Sequence, residues 1–223
     1  MTVLDNPAWG ALTGAQARFA DRHGRAARYQ SDVSVFYAFA DAADPQAWED
    51  MKALVPAGGE FFVGVGPDTT PPGWELVRKG EAVQLTGDNV YATADPEAVL
   101  MTAADVPEMT DLVRRTEPGP FLPRTHELGT YVGIRRNGAL VALAGERMHP
   151  PGWTEISAVC TDPAYRGQRL ATRLVETIIA GIRARGEVPF LHTAQSNALA
   201  IRVYEQMGFV LRRPTLFAAF RAP

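Results

Sequence analysis

Apolar residues recur at helical spacing over Leu170, Leu174, Val175, Ile178 and Ile182, and an apolar, β-prone run before them ends near Thr161. Pro163 and Gly167 lie between, so Thr154 to Arg185 reads as strand, turn, helix. Val188 to Ala194 reads as a buried strand, and Asn197 to Met207 as a helix closed by Gly208 at its C′ position. Upstream, Tyr131 to Arg135 and Leu140 to Met148 form a predicted hairpin across Asn137-Gly138, and a further strand begins at Trp153. Ala98 to Thr102 predicts a short strand, and a helix capped near Asp105 runs to about Thr116. Phe209 to Arg213 and Leu216 to Phe220 read as two strands broken at Pro214.

The first half is patterned less sharply. Thr13, with Gln16 three residues on, predicts a helix reaching about Ala27, and the apolar run from Ser31 to Ala40 a strand buried on both faces. Asp44-Pro45 starts a helix that carries Trp48, Met51 and Leu54. Glu60 to Val65 reads as a strand, Pro67 to Gly73 as a loop, and Trp74 to Leu85 as a hairpin turning at Lys79-Gly80. Gly87-Asp88-Asn89 and Asp95-Pro96 bracket a junction, which divides the chain into residues 1–95 and 96–223, two α/β units.

The turn at Arg166-Gly167-Gln168-Arg169 carries candidate chemistry. A helix start presents unpaired N–H groups at the positive end of its dipole, two arginines add charge, and glycine permits close approach, so the stretch suits a phosphate. It is not a P-loop, since no Lys-Ser or Lys-Thr follows the glycine, and no Gly-x-Gly-x-x-Gly is present. An ordinary tight turn remains the alternative for this stretch alone.

Taken together, TDPAYRGQRLATRL and NALAIRVYEQMGF resemble the GNAT superfamily of CoA-dependent N-acyltransferases. The resemblance covers about Ala98 to the C-terminus and implies the GNAT fold with its mixed central sheet. The smaller unit before it is either a degenerate copy of the same unit or a plain α/β cap. The resemblance further implies that Arg166, Gly167, Gln168, Arg169, Leu170 and Ala171 hold the CoA pyrophosphate. Arg169 stands where the family usually has glycine. Val159, Cys160 and Thr161 would pair with the pantetheine arm by β-addition, one N–H, of Val159 or a neighbour, facing the thioester oxygen. Asn197 would bind the pantetheine or cap its helix.

An acetyl-CoA-dependent N-acetyltransferase, by direct attack in a ternary complex, is the implied activity; a non-catalytic acetyl-CoA sensor or interaction module is the alternative. Lysine-type amines titrate near 10.4, so a base is required, and Glu155 is the candidate, directly or through water; its bland alternative is an ion pair with Arg135, Arg136 or Arg147. Tyr204 matches the family's proton donor to departing CoA. Transfer from a phenol near 10 to a thiolate near 8.5 is uphill by about 2 kcal/mol, which favours a hydrogen bond over full transfer. His192 is placed beside the cleft, either to assist proton transfer or as a core histidine, and Phe121 and Arg124 lie in a Pro-rich loop over the expected acceptor pocket.

Composition narrows the partners. A net charge of −3 gives no electrostatic case for nucleic acid, and the single cysteine excludes an intrachain disulfide. Cys160, within a buried strand, is expected to be inert. No apolar run approaches the ~20 residues of a membrane span, and MTVLDNPAWG lacks the pattern of a signal peptide, so a cytoplasmic protein without membrane partners is expected. His23, His126 and His149 show no metal-ligand spacing, and no metal is expected. Neither the amine acceptor nor the oligomeric state, monomer or homodimer, can be read from the chain.

Overall fold

The computed structural model describes residues 2–64 and 70–223. Among them, eleven strands form one mixed sheet in the order β1-β2-β3-β4-β11-β5-β10-β9-β8-β7-β6. These are β1 Ala20–His23, β2 Ala26–Tyr29, β3 Phe36–Phe39, β4 Glu60–Val63, β5 Glu75–Thr86, β6 Val99–Leu100, β7 Tyr131–Arg136, β8 Ala139–Glu146, β9 Trp153–Thr161, β10 Val188–Ala194 and β11 Val210–Arg221. Five α-helices accompany them among the described residues: α1 Pro7–Leu12, α2 Pro45–Met51, α3 Val106–Thr116, α4 Leu170–Ala184 and α5 Ala198–Gln206.

The second half follows its hydrophobic pattern. Leu170, Leu174, Val175, Ile178, Ile179 and Ile182 of α4 are buried against Leu85, Ile134, Val141, Ile156 and Leu191 of the sheet. Asn137 (φ 51°) and Gly138 (φ 84°) make the left-handed turn between β7 and β8. Along β10, side chains alternate between faces: Leu191 packs on the α4 side, while Phe190 joins the core under α1 with Tyr29, Phe36 and Met148.

The first half departs from expectation in several places, and of the strand expected over Ser31 to Ala40 only Phe36–Phe39 forms, after a turn at residues 31–33. Residues 13–27 are not a helix: α1 lies earlier, with Asn6 accepting from the Trp9 N–H (3.4 Å) and Pro7 at its first position, and β1 and β2 then form a hairpin turning at Gly24 (φ 50°). Gln16 does not cap a helix. Its buried amide donates to the carbonyls of Leu128 (3.0 Å) and Arg147 (2.7 Å), polar bonds that a short-range pattern does not encode.

Glu75 to Thr86 is one strand rather than a hairpin, because β11 pairs along its whole length, from Glu75↔Arg221 to Thr86↔Val210. Gly80 sits opposite Phe217 as an extended residue. For the same reason β11 is not broken at Pro214: a register shift between Leu211 and Arg213 absorbs the irregularity just before the proline. The strand expected to reach Val65 ends at Val63; Val65 itself and the start of the Pro67 to Gly73 loop lie outside the described residues. The sheet crosses the junction expected near residue 95, since β5 stands between β10 and β11.

Candidate active site

Parallel strands β9 and β10 stay laddered only from Trp153↔Val188 to Ile156↔Leu191. Beyond that, β9 pairs with β8 alone and β10 with β5 alone, so a gap opens with Ser157–Thr161 along one side and His192–Ala194 along the other. Ser157, Ala158, Val159 and Thr161 are half-exposed where the ladder ends, whereas Thr154, Glu155 and Ile156 before it are buried. The register between β8 and β9 slips from Leu143↔Cys160 to Gly145↔Ser157, which leaves Ala158 and Val159 opposite one residue. Ala158 takes φ 53° there, a bulge that bends β9 away from β10 and frees backbone groups from the ladder.

The gap leads to the start of α4. Asp162 caps a short 3₁₀ turn, Pro163–Tyr165, Gly167 takes φ 79°, and Arg169 takes φ 58° as the residue before the helix. A side chain in that left-handed conformation costs roughly 1–2 kcal/mol. The first N–H of the helix to find a carbonyl is that of Arg173, on Arg169 (3.1 Å). Those of Gly167 to Thr172 find no acceptor among the described residues. Among the described residues, exposed Arg166 and Arg169 form no ion pair, and buried Thr161 Oγ1 has no hydrogen-bond partner. Six free amides, two guanidiniums without a carboxylate partner among the described residues, that of Arg166 reaching the Thr161 carbonyl through Nε (3.4 Å), and a helix dipole converge on one place, which can hold a polyanion. This donor set fits a diphosphate.

Asn197 accepts from the Ala200 N–H (3.1 Å) as cap of α5, which leaves its amide nitrogen without a partner among the described residues. Tyr204, on the same helix, packs edge-on against Phe209 with ring centroids 5.9 Å apart. Gly208 (φ 95°) lets the chain turn so that the Phe209 N–H bonds to the Tyr204 carbonyl (3.0 Å) and fixes the tyrosine. Burial pushes the Tyr204 phenol up to about 12, and its hydroxyl has no partner among the described residues.

Glu155 does not stand open to the gap. Its side chain is 0% exposed and is clamped by Arg147 through Nε (2.8 Å) and Nη2 (2.6 Å), one of the three arginines named from sequence. His192 Nδ1 lies 2.6 Å from Glu155 Oε1. Burial by itself would raise the Glu155 pKa, but the Arg147 charge and hydrogen bonds, with that from His192, outweigh it and hold the group at about 2. Gln84 Oε1 accepts from Arg212 (2.7 Å), so its Nε2 donates, to Leu4 O (2.9 Å) and to His192 Nε2 (3.0 Å). The His192 proton therefore sits on Nδ1, facing Glu155. Arg147 lies only eight residues before Glu155, whereas the Gln84 partner of His192 comes from a distant part of the chain, and no local spacing announces it.

The remaining candidates have structural partners. Cys160 is buried, and burial pushes its thiol up. Phe121 packs edge-on against Tyr131, and Arg124 is held by Glu127, Asp32 and Gln30. Among the described residues no group of three or more His, Cys, Asp or Glu is arranged to hold a metal, and no helix is long and apolar enough to cross a membrane.

Known proteins are similar to this chain in sequence and fold. A family model described as FR47-like protein matches residues 131–218. The chain is 33% identical over 131 residues to the N-alpha-acetyltransferase RimI of Mycobacterium tuberculosis, across 52% of this chain and 82% of the relative. It belongs to the GNAT superfamily. A crystal structure from Novosphingobium aromaticivorans, described as of a GNAT-family acetyltransferase, is 38% identical, with a TM-score of 0.91 and 100% of both chains covered. A GCN5-related N-acetyltransferase from Kribbella flavida is 17% identical with a TM-score of 0.62, across 97% of this chain and 95% of that one, a likeness of fold. This GNAT chain thus shares its whole architecture, including the first 95 residues, with the Novosphingobium protein.

Proposed function

We propose that this GNAT protein is an N-acetyltransferase that passes the acetyl group of acetyl-CoA to a primary amine by direct attack, both substrates being bound together. The observation that carries the reading is the gap between β9 and β10, which ends on the free amides of residues 167–172. Acetyl-CoA supplies an activated thioester. Gly167, Gln168, Arg169, Leu170 and Ala171 would hold the diphosphate through their N–H groups, with the Arg166 and Arg169 side chains adding charge. Val159, Cys160 and Thr161 offer a strand edge to the pantetheine arm, with the Val159 N–H toward the acyl oxygen, and Asn197 offers its free amide nitrogen.

The amine must lose a proton. A carboxylate at about 2 lies roughly 8 pH units below a lysine-type amine, and direct abstraction by Glu155 would be uphill by about 11 kcal/mol. His192 is the acceptor we assign instead, because its proton is held on Nδ1 by Glu155 and its Nε2 carries the lone pair. Glu155, itself clamped by Arg147, holds the Nδ1–H and so turns Nε2 into the basic nitrogen; the Gln84 amide must yield that lone pair to the substrate. The new C–N bond forms as the C–S bond breaks. Full transfer from a phenol near 12 to a thiolate near 8.5 is uphill by about 5 kcal/mol, so Tyr204 steadies the departing sulfur by a hydrogen bond.

The RimI relative is named for N-alpha-acetylation, which puts α-amino groups among the acceptors to try. Free-thiol release from acetyl-CoA across small amines, amino acids, polyamines and peptides is the test. A hydrogen bond to a charged group is worth about 1.5–3 kcal/mol, so Tyr204→Phe should lower kcat roughly 10- to 150-fold with acetyl-CoA binding unchanged. Stabilisation by acetyl-CoA with no thiol released for any amine would overturn the reading in favour of a binding module.

A further inference from the structure

The strand order repeats from the two flanks. β1, β2 and β3 form an antiparallel meander, α2 carries the chain to β4, parallel to β3, and β11 comes next. β7, β8 and β9 form a second meander, α4 carries the chain to β10, parallel to β9, and β5 comes next. Among the described residues of the first half the parallel ladder runs from Phe36↔Phe62 to Tyr37↔Val63, while β3 runs on to Phe39. The approach to the helix has the opposite charge, however. α4 is entered past Arg166 and Arg169, whereas α2 is entered past Asp41 and Asp44. Asp44 is paired with Arg25, and no arginine stands at that helix start as Arg166 and Arg169 stand at α4, so the donor set for a diphosphate is not repeated there.

A cleft of about 120 Å³ opens at that place, between Asn6, Tyr37, Ala40, Gly64 and Phe217. Exposed Asp41 stands at one end, and His192, with its side chain 3% exposed, at the other. Asp41 forms no ion pair among the described residues, while Asp5 and Asn6 are committed to Arg213 (3.1 Å) and to the Phe39 carbonyl (2.7 Å). The walls between are largely apolar, with Ala8, Ala38 and Phe39. His192 is also the first residue of β10 beyond its ladder with β9, so the inner end of the cleft adjoins the β9–β10 gap.

We infer that this cleft, built mainly by the first half of the chain, is the acceptor site, and that it takes a small primary amine on an apolar body of about six to eight heavy atoms. The inference rests on the acyltransferase reading above. A benzene-sized body fills a cavity of roughly this volume, whereas a peptide would leave its backbone groups without partners between apolar walls. The two polar positions left for the ligand match the two states the amine must pass through. As an ammonium it is drawn by Asp41, and at His192 it gives up its proton beside the gap where the acyl carbon would lie.

Calorimetry of phenethylamine titrated into the full chain saturated with CoA tests the site, with thiol release from acetyl-CoA measured in parallel. Wild type should bind phenethylamine and acetylate it. Ala40→Leu, which fills the cleft, should weaken binding and raise the amine KM at least tenfold while the CoA-induced rise in Tm stays as in wild type. Asp41→Asn should weaken binding roughly threefold at low salt and by little at high salt, because an exposed charge is screened. No binding of phenethylamine, binding unchanged in Ala40→Leu, or faster turnover of a peptide N-terminus than of any small amine would overturn the inference. If thiol is then still released with other amines, the acyltransferase reading stands without it; absence of both CoA stabilisation and thiol release would instead remove that reading.

Discussion

Replacing Glu155 by glutamine removes one charge from a pair that the fold keeps almost wholly from water. The native carboxyl is held at about 2 against an ordinary 4.5, a difference of roughly 2.5 units or about 3 kcal/mol. Breaking a buried pair by removing one partner costs about 3–5 kcal/mol, because the other charge is stranded, here the Arg147 guanidinium at 14% exposure. For a chain of this length that is a fall in Tm of roughly 6–20 °C.

The pH dependence has a definite sign. The folded-state pKa is depressed, so the stabilisation is complete above about pH 4.5 and drains away as pH falls toward 2. Urea unfolding of wild type and Glu155→Gln from neutral pH downward should give curves that are about 3 kcal/mol apart at pH 7 and converge in acid. Other carboxylates titrate in both proteins and cancel in the difference. Arg147→Met combined with Glu155→Gln should recover at least half of the loss, since no charge is then stranded. A gap under about 1 kcal/mol at pH 7, or one that stays constant into acid, would show that the pair is not what holds this part of the sheet.

Two further outcomes follow from local geometry. Arg169→Gly relieves a left-handed backbone worth about 1 kcal/mol and should raise Tm by roughly 2–4 °C, while acetyl-CoA binding at low salt weakens a few-fold through the lost charge; thermal unfolding and calorimetry give both numbers. Cys160 should resist iodoacetamide in the native protein and react fully in guanidinium, as mass spectrometry of the alkylated protein reads, because its thiol is buried and burial pushes its pKa up.

The parts legible in sequence are those whose cause is local. The period of α4, the Asn137-Gly138 turn and Gly208 after α5 each specify an element from within a few residues, and the two motif stretches sit where their pattern places them. Glu75 to Thr86 resists such reading because its length is set by β11, more than a hundred residues away. Residues 13–27 carry a helix-start pattern, yet Gln16 is taken up by carbonyls of the second half and Gly24 turns a hairpin. The site divides likewise. The anion seat is one continuous stretch and can be seen in the chain, whereas Gln84, Arg147, Glu155 and His192 meet only once the sheet has formed.

The exchange of β5 and β11 between the flanks bears on how the chain is made. During synthesis from the N-terminus, β4 and β5 leave the ribosome long before β11, the strand that lies between them, exists. Their facing edges stay open until Val210–Arg221 emerges, so truncation before that strand should yield insoluble chains rather than a smaller working enzyme.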